Sequence, residues 1–194
     1  SDRSLTDCDS FTLEVTPVKY APVLTALSEY SVCEDTDFKV SLSASDVDGD
    51  AVTFYASVNS GSAVVDGTTL TVSPGQDFNG DLTVTVTADD GELSGSSSFT
   101  LTVNPVNDAP VITSAPSATT DEDTSVDITL EGSDLDGDAL TYLLDQDASG
   151  GSVTIDGNIA TFVPDADVNG PTSFSYKVTD GELISSSATV EVTD

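Results

Sequence analysis

The sequence predicts an all-β protein, built as two tandem antiparallel β-sandwiches of about seven strands each behind a short N-terminal segment. Three observations predict it. The chain repeats itself at a period of about 90 residues. Within each repeat, short runs alternate apolar and polar residues and are rich in Val, Thr and Phe. Turns containing Gly, Asp and Asn separate the runs, and no segment carries a helical period.

The repeat is read from matched phrases. FTLEVTPVKYAPVLT (11–25) matches FTLTVNPVNDAPVIT (99–113), and CEDT (33–36) matches DEDT (121–124). Glu34 to Glu122 and Asp46 to Asp134 are each 88 positions apart. Later phrases are offset by 90: VDGTTLTVSPGQDFNG with IDGNIATFVPDADVNG, and DDGEL (89–93) with TDGEL (179–183). The two extra residues fall opposite LLDQDASGG, a loop by composition. The chain therefore divides into an N-terminal segment (1–20), a first domain (21–105) and a second (106–194). Residues 1–20 are either the end of a preceding repeat or an extra strand.

In the first domain the strands are expected at KVSL (39–42), AVTFYAS (51–57), TLTVS (69–73), LTVTVTA (82–88) and SFTLTV (98–103). In the second they are VDITL (126–130), ALTYLL (139–144), SVTI (152–155), IATFV (159–163), SFSYKV (173–178) and ATVEV (188–192). Asp-Gly at 66–67 and 156–157 signals a tight hairpin in each. Phe54, Phe99, Phe162 and Phe174 fall in inward registers. Many short strands in so few residues indicate an immunoglobulin-like sandwich. The prolines of VNPVNDAP (103–110) stiffen the joint between the two, so a short rod is expected.

Composition narrows the function. The chain has 35 Asp and Glu against 4 Lys and Arg, a formal charge of −31. Nucleic acid and anionic lipid need a basic face, so neither is an expected partner. No apolar stretch reaches the roughly 20 residues of a membrane helix. No signal-peptide pattern is present, so the chain reads as a mature segment or an excerpt. With no histidine, Ser-His-Asp and Cys-His catalysis are excluded. A two-carboxylate glycosidase would need a unique acid pair, whereas every acidic cluster here recurs in both repeats. The chain is not expected to be an enzyme.

SDVDGDAVT (45–53) and SDLDGDALT (133–141) place three aspartates within five residues, twice. Carboxylates that close repel one another unless a cation lies between them. Alternate residues of extended chain point the same way, so Asp134 and Asp136 can converge on one ion, and Gly137 lets the chain turn. Hard oxygen donors suit calcium better than zinc or copper. An EF-hand is excluded: its twelfth ligand should be Glu, but residue 145 is Asp. A single such phrase reads as a polar turn. Two copies, each with an upstream EDT and a downstream DG, point to calcium.

EDT, DxDGD, DFNG or DVNG, DGEL and VNDAP, in that order and twice over, resemble the tandem cadherin-like repeats of large bacterial surface adhesins. The resemblance covers residues 21–194. It implies cadherin-type sandwiches strung in series on secreted or surface-anchored proteins, with calcium at the joints between successive domains. Carried over by position, the middle joint takes Glu34, with Asp35 beside it, from the first domain. The linker supplies Asn107 and Asp108, by side chain or carbonyl. The second domain supplies Asp134, Asp136 and Asp180; Asp138 either binds or only closes the turn. Asp77 is the nearest counterpart of a further acidic ligand. In the first repeat, Asp46, Asp48 and Asp89 face a linker that has Lys19 and Tyr20 where the second has Asn107 and Asp108. A weak or absent ion is expected there. Glu122 has half a site.

Two cysteines fit one disulfide in an oxidising compartment. If residues 11–18 belong to a preceding domain, Cys8 is out of reach of Cys33. If KYAP is a tight turn, FTLEVTPV runs antiparallel to VLTALSEYSV and the two cysteines face each other. Two functions are therefore weighed. One is a calcium-stiffened extender of an extracellular adhesin, whose partners are neighbouring repeats of its own polypeptide. The other is a binding module for a cell-surface glycan, a peptide or protein, or a like domain. Exposed aromatics would favour the second; Tyr20, Tyr30 and Tyr55 are the candidates, but a core or hairpin role is the stronger expectation for them.

Overall fold

The structure is a computed structural model and describes residues 12–193. The chain divides between Pro105 and Val106 into two compact units. None of the described residues is helical.

The first unit has nine strand segments: β1 (Val23–Leu24), β2 (Tyr30–Cys33), β3 (Phe38–Ser41), β4 (Ala44–Ser45), β5 (Thr53–Val58), β6 (Ser62–Asp66), β7 (Thr69–Ser73), β8 (Gly80–Asp89) and β9 (Ser94–Asn104). One sheet is ordered β2-β9-β8-β5, the other β3-β7-β6. β1 pairs with β4. The bonds Leu42 N–H to Thr68 O (2.7 Å) and Thr25 N–H to Ser43 O (2.9 Å) carry the second sheet's ladder on into that pair. Segments β3 and β4 thus form one bent strand. Segments β1 and β2 are one first strand shared between the two sheets, so the nine segments make seven strands.

The alternation read from sequence is what buries the core. In β8, Leu82, Val84, Val86 and Ala88 are fully buried, while Thr83, Thr85 and Thr87 face outward. Leu70 and Val72 of β7 meet them across the sandwich, and Phe99, Leu101 and Val103 of β9 flank them on their own sheet. Each such aliphatic side chain contributes about 1.5–3 kcal/mol by leaving water. Tyr30, Phe38 and Phe99 close one end, with ring centroids 4.9–6.2 Å apart.

The second unit repeats this plan with β10 (Val111–Ile112), β11 (Ser117–Thr119), β12 (Val126–Thr129), β13 (Gly132–Ser133), β14 (Thr141–Gln146), β15 (Gly151–Asp156), β16 (Ile159–Pro164), β17 (Thr172–Thr179) and β18 (Ala188–Thr193). Its sheets run β11-β18-β17-β14 and β12-β16-β15, with β10 on β13. Phe162, Phe174, Tyr176, Val178 and Val190 form its core. The Tyr176 hydroxyl is carried inside by donating to Ser114 O at 2.8 Å. Gly67 and Gly157, both at φ +59°, turn the β6–β7 and β15–β16 hairpins as the first central residue of a type II′ turn does.

The tandem all-β sandwiches are as the sequence predicts; one detail of the pairing and the course of the N-terminal segment differ. The pairing is not antiparallel throughout: β2 runs parallel to β9, and β11 to β18. In a seven-strand sandwich of alternating direction the first and last strands point the same way, so they can only join in parallel. The expected hairpin of residues 11–18 on 23–32 is also not formed among the described residues: residues 12–22 carry no strand, and β1 and β2 pair with β4 and β9. Cys33 is an exposed thiol. Cys8 lies outside the described residues, and the proposed bridge with it.

Candidate metal centre

Each acid turn starts where a short strand stops. β4 ends at Ser45 and β13 at Ser133, and the next residue is the first aspartate of the cluster. Its Oδ1 folds back onto the turn. Asp46 Oδ1 accepts the N–H of Asp48 (2.9 Å) and of Asp50 (3.2 Å). Asp134 Oδ1 accepts the N–H of Asp136 (3.0 Å) and of Asp138 (3.1 Å). The reversal needs a left-handed residue at the fourth position, supplied by Gly49 (φ +78°) and Gly137 (φ +82°). These bonds gather the three carboxylates, which offer oxygens within 4.8 Å of one another in Asp46, Asp48 and Asp50, and again in Asp134, Asp136 and Asp138.

The other oxygen of the first aspartate is the informative atom. Asp46 Oδ2 and Asp134 Oδ2 are both sealed from water and accept no hydrogen bond. A carboxylate oxygen without water or donor is costly, and the charges converging beside it raise the cost. The same orphaned atom occurs at the same place in both domains. A hard cation seated among the three carboxylates would answer both the orphaned oxygen and the mutual repulsion, so the donor set fits calcium.

The linkers lie on these turns. Asp108 N–H donates to Asp136 Oδ2 at 2.8 Å, and Asn107 Nδ2 donates to Asp180 Oδ2 at 3.0 Å. Two adjacent linker residues thereby tie Asp136 to Asp180. In the first domain Tyr20 N–H donates to Asp48 Oδ2 at 2.8 Å, and Lys19 Nζ is ion-paired with Asp50 Oδ2 at 2.5 Å. The bond to Asp50 raises the Lys19 ammonium above the ordinary lysine range.

Asp180 closes a second turn, its Oδ1 taking the N–H of Glu182 (2.6 Å) and Leu183 (2.7 Å). The Leu183 N–H and then the Asn107 amide hold its carboxyl below the usual carboxylate range. In the first domain these bonds are made by Asp90, which takes the N–H of Glu92 and Leu93, both at 2.7 Å, and is lowered by them. Asp90 is therefore the counterpart of Asp180. Asp89, assigned that place from sequence, instead accepts Gly91 N–H (2.9 Å), as Thr179 Oγ1 accepts Gly181 N–H (3.0 Å). The 90-residue offset of DDGEL and TDGEL already pairs Asp90 with Asp180. Two adjacent aspartates masked the register.

Glu34 and Asp35 belong to the other end of the first unit. Glu34 follows β2, is buried, and donates its N–H to Asn104 O at 2.9 Å. Asp35 has φ +56°, and its Oδ1 accepts Asp77 N–H at 3.1 Å. Asp123 (φ +59°) and Asp167 (3.2 Å) repeat this bond in the second unit. Asp35 thus serves the fold as a loop clasp, and sequence reasoning missed that role. Glu122, the counterpart of Glu34, is exposed.

A family model described as bacterial Ig domain matches residues 19–104 and again residues 107–193. No curated protein matches the chain. Among solved structures, human protocadherin-24 EC1-2 (Form II) is similar at 16% identity, over 89% of this chain and 97% of that one, with a TM-score of 0.63. Human mucin-like protocadherin EC1-2 is similar at 20% identity, over 91% and 98%, with a TM-score of 0.53. Both are likenesses of fold. The endo-fucoidan hydrolase MfFcnA4 from glycoside hydrolase family 107 matches 93% of this chain at 21% identity and a TM-score of 0.41, and the chain spans only 29% of its length.

Proposed function

The chain belongs to the bacterial Ig domain family, and from that premise we propose that it is a calcium-binding repeat pair, a rigid extender or adhesive segment of a bacterial cell-surface or secreted adhesin. The observation that carries the calcium is the orphaned oxygen Asp134 Oδ2, sealed beside the converging carboxylates of the second acid turn. The repeat supports the extender role, since a unit used twice with the same acidic clusters is architecture rather than a single active site.

At the middle joint, Asp134 and Asp136 with Asp180 are the ligands of the second domain, and Asn107 and Asp108 those of the linker. Glu34 is the ligand from the first domain, with Asp35 adjacent. Chain connectivity favours its recruitment: Glu34 is bonded to Asn104, three residues before Asn107. Calcium takes six to eight oxygens at about 2.3–2.6 Å, a number these side chains, carbonyls and water can supply. Binding turns repulsion among the carboxylates into attraction, and the hinge at the linker becomes a fixed angle.

The test is calorimetric titration of the whole chain with calcium chloride, followed by melting and small-angle scattering with calcium and with chelator. Binding, a raised melting midpoint and a narrowed scattering envelope are expected. A crystal grown in millimolar calcium without density beside Asp134 and Asp136 would overturn the reading.

A further inference from the structure

The two acid turns are held alike by their linker backbones and differ in the side chains the linkers bring, Lys19 and Tyr20 at the first and Asn107 and Asp108 at the second. Lys19 and Tyr20 stand 88 positions before Asn107 and Asp108. Tyr20 N–H and Asp108 N–H make the same bond, each at 2.8 Å to the third residue of its turn. The linker backbones are therefore equivalent, and the preceding side chains can be compared directly. Asn107 is neutral and directs its amide to Asp180. Lys19 directs its ammonium to Asp50 Oδ2, 2.5 Å away. Asp50 is the counterpart of Asp138 and one of the three converging carboxylates of the first turn.

We propose that Lys19 is a tethered counter-ion which decides that the second turn, and not the first, takes a divalent cation. The proposal rests on the calcium reading above and adds the residue that sets its selectivity. An ammonium on a flexible stem is always present at its own turn, as a tethered group with an effective concentration in the millimolar range or above. A divalent ion approaching Asp46, Asp48 and Asp50 meets like charge and must displace the lysine from Asp50. It meets no such charge from Asn107. The first turn is thus partly neutralised from within, and its order does not depend on calcium.

The reciprocal exchange tests this on the full chain: Lys19→Asn and Asn107→Lys, each titrated with calcium chloride and followed by hydrogen exchange of peptides covering 44–50 and 132–138. Melting curves establish that each variant is folded. In the wild type, calcium is expected to protect 132–138 and leave 44–50 unchanged. Lys19→Asn is expected to gain protection at 44–50, with at least a tenfold rise in that turn's apparent affinity, and Asn107→Lys to lose it at 132–138. Equal protection of both turns in the wild type overturns the proposal. So does a first turn that stays unresponsive in Lys19→Asn while the second responds. A chain in which neither turn responds to millimolar calcium sinks the calcium reading itself, and the selectivity with it.

Discussion

Asp134 has two oxygens with opposite duties. Oδ1 holds the turn through the N–H groups of Asp136 and Asp138, and Oδ2 is sealed without a partner. Replacing it by Asn separates the two. Asn keeps the carbonyl oxygen that accepts both N–H bonds and removes the charge from the sealed position. Without calcium, Asp134→Asn should therefore melt at or slightly above the wild-type temperature, because a poorly solvated charge among like charges has gone. With calcium it should lose at least tenfold in affinity at that turn and most of the calcium-induced rise in midpoint. Melting curves with chelator and with calcium check both halves. A wild-type calcium response in the variant would remove Asp134 from the site. Tyr176→Phe is a contrasting residue-scale case. It deletes one buried hydroxyl bonded to Ser114 O and should cost about 1 kcal/mol in urea unfolding, with or without calcium.

At the scale of elements, Asp35 and Asp123 are loop clasps. Each adopts positive φ and ties a distant loop through one N–H, that of Asp77 or Asp167. Alanine loses the bond, worth about 1 kcal/mol, and strains the left-handed backbone by about 1–2 kcal/mol more. Asparagine tolerates the conformation and still accepts. In chelator, Asp35→Ala should thus lower stability by about 2 kcal/mol and Asp35→Asn by under about 1 kcal/mol, read from urea unfolding, with the same order for Asp123. This role was not legible in the sequence, because EDT reads equally as ligand and as turn, and φ is fixed only by the loop that packs on it. The long strands were legible. In β8 and β17 the inward residues Leu82, Val84, Val86, Phe174, Tyr176 and Val178 alternate with polar ones, and burial on one face of a sheet imposes that period. The short pairings β1–β4 and β10–β13 left no signal, since two residues cannot show a period. The parallel edges β2–β9 and β11–β18 depend on strand count rather than on any local residue. The acid turns were legible as clusters. Their orphaned oxygens and the Lys19–Asp50 pair exist only once the linker is laid on the turn.

At the scale of the whole molecule, charge governs stability from two directions. The formal charge of −31 at pH 7 repels itself and favours the unfolded chain. Lowering the pH toward the isoelectric point near 4.1 discharges carboxylates and relieves that repulsion. Against this stand Asp90, Asp145 and Asp180, whose carboxyls are held below the ordinary range. The Leu93 and Glu92 N–H groups lower Asp90, Lys177 and Ser187 lower Asp145, and Leu183 and Asn107 lower Asp180. A carboxylate with a depressed folded pKa adds stability above its unfolded pKa, about 4, and loses it as the pH falls through the lower folded value. The two effects occupy different windows. In chelator at low salt, the melting midpoint should rise only as the pH drops below about 5, where carboxylates begin to discharge, then fall below about 4 as these three carboxylates protonate. Raising sodium chloride to about 0.5 M shortens the screening length to roughly 4 Å. That should lift the midpoint at pH 7 and flatten the rise, while the acid fall persists because its bonds are direct contacts. Asp145→Asn, which removes the ion pair with Lys177 (2.7 Å), should make the acid fall shallower without altering the salt response at pH 7. Calorimetric melts across this grid decide the matter. A midpoint at pH 7 that ignores salt would mean that self-repulsion is not the dominant strain on this chain, and the stabilisation expected from calcium would then have to come from local order at the turns alone.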